Sequence, residues 1–142
     1  MFLRGLVFVA LLGVGFCLLG IGEQQSASVT GLLKCNGKPY SGALIKLYDK
    51  DKLGKDDLLG SSKSDADGSY AASGHAREIL SIDPKINIYH DCNDGTKPCQ
   101  RKFHIKIPKD YISSGKTPEK VFDAGTLELA GHFHGETRDC LH

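Results

Sequence analysis

Phe103-His104-Ile105-Lys106-Ile107 alternates apolar and polar side chains one by one. On an extended chain this puts Phe103, Ile105 and Ile107 on a dry face and His104 and Lys106 on a wet one. Pro108 ends the run, and the same period of two sets Ile86 and Ile88 against Asn87 and Tyr89 within residues 84–90. A strand that is dry on one side needs a second layer to cover it. Outward from this pair, apolar and β-branched runs at 28–35, 43–48, 58–64 and 69–72 read as further strands. They are separated by Asn36-Gly37-Lys38-Pro39, a charged loop at 49–57, and Asp65-Ala66-Asp67-Gly68. A polar connection at 109–119 leads to one or two last strands within 121–133, broken near Asp123-Ala124-Gly125. Residues 75–80 read as one helical turn or as part of a strand, and no helix of ordinary length is predicted. Short strands, frequent turns and 17 glycines point to an all-β sandwich.

Ahead of the strands, Arg4 precedes a nearly unbroken apolar run at 6–19 that ends in Gly20-Ile21-Gly22. This is the layout of a secretory signal peptide at 1–22, with cleavage before Glu23 and cleavage after Ala27 as the alternative. An uncleaved anchor is the other reading of the same run. The expected mature chain, residues 23–142, is one domain secreted to the extracellular space, with no stable membrane insertion once the leader is removed. The full chain carries 18 Lys+Arg and 17 Asp+Glu, and loss of Arg4 leaves 17 of each. Near-zero net charge gives no reason to expect a nucleic-acid partner or an acidic substrate surface.

Four cysteines remain after the leader: Cys35, Cys92, Cys99 and Cys140. In an oxidising compartment an even count reads as two disulfides. Cys92 and Cys99 flank the turn-rich Asn93-Asp94-Gly95-Thr96-Lys97-Pro98, so the expected pairs are Cys92–Cys99 and Cys35–Cys140. Paired Cys-x2-Cys spacing for zinc is missing. His132 and His134 flank Phe133, and on a strand both would face one way, as a His-x-His metal pair does, with His104, His90 or Glu136 as third ligand. Solvated surface histidines beside a buried Phe133 explain the same letters, and no metal or other cofactor is assigned. With Gly68 sixth in a calcium loop, Lys63 falls first and Gly74 twelfth; counted from Asp49, Leu53 falls fifth and Gly60 twelfth. Neither is an EF-hand. There is no Gly-x-Ser-x-Gly elbow, no phosphate-binding glycine loop and no Asn-x-Ser/Thr sequon. No catalytic residue is assigned, and the chain is read as a non-enzyme.

Six blocks together carry a resemblance. They are Val29-Thr-Gly-Leu-Leu-Lys-Cys-Asn-Gly-Lys-Pro39, Ala43-Leu-Ile-Lys-Leu-Tyr-Asp49, Ser64-Asp-Ala-Asp-Gly-Ser-Tyr70, Ile88-Tyr-His-Asp-Cys92, Cys99-Gln-Arg-Lys-Phe-His-Ile-Lys-Ile-Pro108 and Phe133-His-Gly-Glu-Thr-Arg-Asp-Cys140. In this order they resemble the nematode transthyretin-like proteins across essentially the whole mature chain. The resemblance implies a transthyretin-like (prealbumin-like) β-sandwich. Transthyretin itself is a tetrameric hormone carrier, and its enzymatic relatives hydrolyse 5-hydroxyisourate with histidines, an arginine and a C-terminal Tyr-Arg-Gly-Ser. When Gly37-Lys38-Pro39 is set on the enzymes' Gly-Arg-Pro, Thr30 falls where the early histidine belongs. The tail reads Arg138-Asp139-Cys140-Leu141-His142, without that closing motif, and threonine does not replace an imidazole base.

The expected function is therefore extracellular binding or signalling, with loops or a sheet face presented to a protein or cell-surface partner. Residues 49–57 and 93–98 are the candidate display loops, held by a core that includes Ile86, Ile88, Phe103, Ile105 and Leu127. Carriage of a small apolar ligand, lipid or hormone, is the alternative, and it requires an apolar cavity or an interface enclosing one. A hydrolase ranks third.

Overall fold

Glu23–Cys35 forms a single thirteen-residue strand, β1, whose inward positions Ala27, Val29 and Leu33 have no exposed surface. The computed structural model describes residues 22–95 and 97–142, so the leader read at 1–22 lies outside the described residues apart from Gly22. The chain continues through β2 (Lys38–Pro39), β3 (Leu44–Asp49), β4 (Asp57–Lys63), β5 (Ser69–Glu78), β6 (Pro84–His90) and β7 (Gln100–Lys106). A 3-10 turn (Lys109–Tyr111) then precedes β8 (Ser113–Ser114), β9 (Phe122–Glu128) and β10 (Thr137–Asp139). Among the described residues no helix is long and apolar enough to cross a membrane.

Two sheets face each other. In sheet A, β1 is the centre: β5 and β2 pair with one edge, and β8 and β9 with the other, β9 running parallel. Sheet B is antiparallel throughout, in the order β10-β7-β6-β3-β4. Period-two alternation delivers the core as expected. Ile45 and Leu47 of β3, Ile86 and Ile88 of β6 and Phe103 of β7 meet Val29, Leu33 and Ala72 of sheet A. Leu127 and Ile105 pack against this core from its rim, and Phe133 stacks on Phe103 at 4.1 Å and 11°. Residues 75–78 extend β5 instead of turning into a helix, because Glu23 to Ser26 of β1 supply their ladder partners.

Along one side the sheets close on each other. A Cβ added to Gly60 of β4 would collide with the Ser73 carbonyl, and one added to Gly74 of β5 with the Leu59 carbonyl. Only glycine at both positions lets the two edge strands approach this closely. On β1, Gly31 leaves room for the Tyr70 ring, which occupies the space a side chain would fill.

The disulfides correct the expected pairing. The bonds are Cys35–Cys92 and Cys99–Cys140, with Cα separations of 5.8 and 4.5 Å, in place of Cys92–Cys99 and Cys35–Cys140. The β6–β7 ladder ends at His90↔Arg101. Beyond it the Cys92 N–H donates to His90 Nδ1 at 3.1 Å, and the buried Cys92 side chain turns inward to meet the end of β1. Cys99 instead stands beside Gln100, whose register partner Asp139 brings Cys140 alongside. One bond thus joins the sheets, and the other fastens the tail to β7.

A buried polar cluster finishes the same end of the sandwich. Arg101, 3% exposed, donates from Nε and Nη2 to both oxygens of Glu136 (3.0 and 2.8 Å). It also donates to the carbonyls of Cys92 (2.9 Å) and Gly131 (2.7 Å), which ties the 131–136 segment to β7. Burial works to raise the Glu136 carboxyl, but the Arg101 hydrogen bonds and charge, helped by His132, hold it below its ordinary value. His90 has no exposed surface and lies edge-on to Tyr40 and Phe103. Its Nδ1 accepts a backbone hydrogen bond, so the neutral ring carries its proton on Nε2. Burial, and then the Arg101 charge, push His90 down to about 4.

Two outcomes are expected. Non-reducing peptide mapping finds 35–92 and 99–140, and each closed loop stabilises the fold by about 4 kcal/mol in the chain-entropy limit. Replacing Cys35 and Cys92 by Ala lowers the thermal midpoint of the whole domain, whereas replacing Cys99 and Cys140 chiefly raises hydrogen exchange in β10 and the tail. The second outcome concerns acid. Between pH 6.5 and about 4 the unfolded chain takes up a proton at His90 that the folded chain refuses, so stability falls as pH drops through that window, by up to about 3 kcal/mol. Glu136 adds a further loss below its unperturbed 4.5. Thermal midpoints across pH, with the His90 ring followed by NMR, check this; a His90 that titrates near 6.5 would sink the account.

Candidate functional site

Register sorts the outward side chains of sheet B into three rows. The first runs Lys63, Leu44, Tyr89, Lys102 and Thr137; the second Ser61, Lys46, Asn87 and His104; the third Leu58, Tyr48, Lys85 and Lys106. The inward neighbours of these residues form the core, so the rows lie on the outer face, where Asn87 and Tyr89 are themselves buried by their neighbours. Each of these rows carries two residues of basic type and no carboxylate, and a fourth, at the rim, pairs Gln100 with Asp139. From there Asp139 meets Lys102 at 3.4 Å, and Asp56 of the 49–57 loop meets Lys85 at 2.8 Å.

The aromatic groups lie flat among these cations. The Lys46 and Lys102 ammonium groups sit 5.8 and 5.7 Å from the centre of the Tyr89 ring, within cation–π range. His142 stacks on that ring at 4.2 Å and 19°, which leaves Tyr89 only 2% exposed. Asn87 donates from Nδ2 to the Tyr89 hydroxyl at 3.3 Å. The His104 imidazole is pushed below its ordinary value by desolvation first, and then by Lys85, Lys50, Lys106 and Lys102. That crowd of positive charge is the electrostatic signature of the face.

The two loops expected to display contacts stand at opposite ends of the sandwich. Residues 49–57 join β3 to β4, beside the start of β6. Their polar groups are partly spent locally: Asp51 N–H donates to Asp56, Leu53 N–H to Asp51, and the buried Asp49 accepts from Asp83 N–H. In the other loop Asn93 exchanges side-chain hydrogen bonds with Asn36 (2.7 and 3.1 Å), and the buried Asp94 pairs with Arg138 at 2.6 Å. Neither loop is a freely extended arm.

The His132/His134 pair loses its geometric basis. Both residues lie in the irregular stretch between β9 and β10, not on a strand, and His132 Nδ1 is 2.7 Å from Glu136, which is already committed to Arg101. His90 is buried with its Nδ1 occupied, so neither it nor Glu136 offers a free third ligand. Sequence reading missed Asp49, Asp57 and Glu78, at one end each of β3, β4 and β5, whose carboxylate oxygens come within 4.8 Å of one another. Their spacing resembles no linear motif. Desolvation, and then the charges of Asp49 and its neighbours, raise the Glu78 carboxyl. Thr30, set against the enzymes' early histidine, has Ala71 and Asp123 as register partners, neither of which brings an imidazole.

Comparison with known proteins accords with this architecture. The sequence model of the Transthyretin-like family matches residues 30–108. Transthyretin-like protein 5 of Caenorhabditis elegans is 59% identical over 123 residues, covering 86% of this chain and 88% of that one. Transthyretin-like protein 33 of the same nematode is 46% identical over 132 residues, covering 89% of this chain and 92% of that one. Transthyretin-like protein 2 is 44% identical over 139 residues, covering 94% of each. A family match over more than half the sequence and relatives aligned along nearly their whole length lead to one conclusion: this chain belongs to the transthyretin-like family.

Proposed function

We propose that this protein is a secreted recognition module that presents the outer face of sheet B to an extracellular protein or cell-surface partner. The observation that carries the reading is the sorting of charge. A chain with 18 Lys+Arg against 17 Asp+Glu places Lys46, Lys63, Lys85, Lys102 and Lys106 on one flat face, with Asp139 of β10 at its rim as the one carboxylate on that side of the ladder. Such a face steers and orients an anionic surface, which net charge alone conceals.

Three features support the extracellular placement. The apolar leader at 1–22 is of secretory type. All four remaining cysteines are paired, as suits an oxidising compartment. Cleavage before Glu23 keeps β1 whole, whereas cleavage after Ala27 would remove Gln25 and Ser26, which make its pairing with β8, and five of its ladder positions with β5.

Carriage of an apolar ligand draws less support. A surface concavity of about 550 Å³ is lined by Asp49, Asp51, Asp57, Glu78 and Asp83 with three lysines, beside Leu53 and Leu80, so a lipid or hormone seated there would lie against charged groups. The hydrolytic reading lacks its base at Thr30.

Secretion from a eukaryotic host is expected to yield a chain that begins at Glu23, contains two disulfides and shows no added mass by native mass spectrometry. Labelled protein is expected to bind nematode tissue surfaces, with the triple variant Lys46→Gln/Lys63→Gln/Lys106→Gln losing most of that binding and Leu53→Ser keeping it. Unchanged surface binding by the triple variant would remove the sheet face from the reading. A reproducible co-purified lipid would favour carriage.

A further inference from the structure

We propose that the partner of the sheet B face is a linear anionic polysaccharide, a sulfated chain of the cell surface or matrix. The inference rests on the recognition reading above and adds the ligand's chemistry. Strands lie about 4.8 Å apart, and same-face residues repeat about every 6.7 Å along each strand. Lys63 and Lys102, and Lys85 and Lys106, therefore form two parallel pairs with Lys46 in the row between them, on a surface five strands wide. A charge array of that extent suits a ligand bearing repeated negative groups along a chain, rather than one phosphate or carboxylate.

The uncharged part of the face is a packed floor beneath the cations. Tyr48 and Tyr89 share it with the amide of Asn87, and the Tyr89 ring lies between the Lys46 and Lys102 ammonium groups with a second ring, His142, stacked upon it. With His142 over it the Tyr89 ring is a packed floor and not a stacking platform, and the ammonium groups around it are the atoms that would take the sulfates of a sugar chain. A lipid bilayer is the competing anionic surface, and it asks for side chains that protrude and insert. Here Tyr89 is 2% exposed, Leu44 and Tyr48 are half-buried, and Leu58 is the one aliphatic side chain exposed at the register positions. Leu141 of the tail, 92% exposed, is a single aliphatic group and does not make an insertion surface.

The test titrates the secreted, disulfide-intact protein with heparin, unsulfated dextran, and phosphatidylcholine vesicles with and without phosphatidylserine. Heparin is expected to bind with an affinity that falls steeply as salt rises, because each engaged lysine releases counterions. Lys46→Gln/Lys63→Gln/Lys106→Gln is expected to weaken binding about tenfold or more and to lower the salt slope by roughly two to three. These side chains are wholly or partly exposed, and an unchanged thermal midpoint excludes a folding defect. Lys50→Gln/Lys52→Gln/Lys109→Gln removes the same charge from the acidic end and is expected to leave the affinity within about twofold. Equal loss by both triple variants would reduce the effect to net charge and overturn the site. Tighter binding to phosphatidylserine vesicles than to heparin would overturn the polysaccharide. If heparin fails while tissue binding still depends on Lys46, Lys63 and Lys106, the polysaccharide falls and the recognition face stands; if both fail, both readings fall.

Discussion

Every pairing within sheet A is a pairing with β1. A strand with neighbours on both edges satisfies its backbone hydrogen bonds on both sides, so thirteen residues fix the positions of four other strands. The inward side chains of β1 then set where sheet B must lie, since Val29 and Leu33 reach full burial only under Ile45, Leu47, Ile86, Ile88 and Phe103. Cys35 ends the strand, and its bond to Cys92 locks that relation covalently. Arg101, Glu136 and His90 finish the same end with charge and hydrogen bonds, so the chain after β9 is held by polar contacts as well as by the buried Leu129 and the Phe133–Phe103 stack.

Rigidity behind one sheet is what makes its other side usable. Because the inner side chains of β3, β6 and β7 are packed, the outer lysines, tyrosines and histidine keep their rows. Acidic groups touch this face only at its rim, through Asp56 and Asp139, and gather instead at the end where Asp49, Asp57 and Glu78 converge. The protein is thus close to neutral in sum and strongly polarised in space. Its long-range field follows the arrangement and not the total.

Much of this was legible in the letters. Alternation in residues 84–90 and 103–107 gave the two central strands of sheet B, and Asn-Gly and Asp-Gly steps gave the turns around them. The outcome departed from expectation where a local signal met a tertiary one. A turn-rich spacer between Cys92 and Cys99 looks like a hairpin end, and only the inward turn at Cys92, with its N–H taken by His90, shows that the ladder stops short. His132-Phe133-His134 has strand spacing, yet Phe133 is drawn onto Phe103 and the segment is bent around Arg101. The lysines of the face were visible one by one. Their shared surface was not, because four strands far apart in sequence contribute them, and a count of charges carries no register. The carboxylate cluster escaped for the same reason, its members being 8 and 21 positions apart at strand ends.

The glycine contact between β4 and β5 also governs how the molecule meets its own copies. Unpaired sheet edges are templates for uncontrolled stacking between molecules. By pressing the edge strands of the two sheets together at Gly60 and Gly74, the fold hides both of those edges within one chain. What remains open is the other side of the sandwich, where β9 borders one sheet and the three-residue β10, pinned by a disulfide, borders the other. A protein built this way can be crowded among its copies while, among the described residues, one side of the sandwich offers an open edge to a further strand.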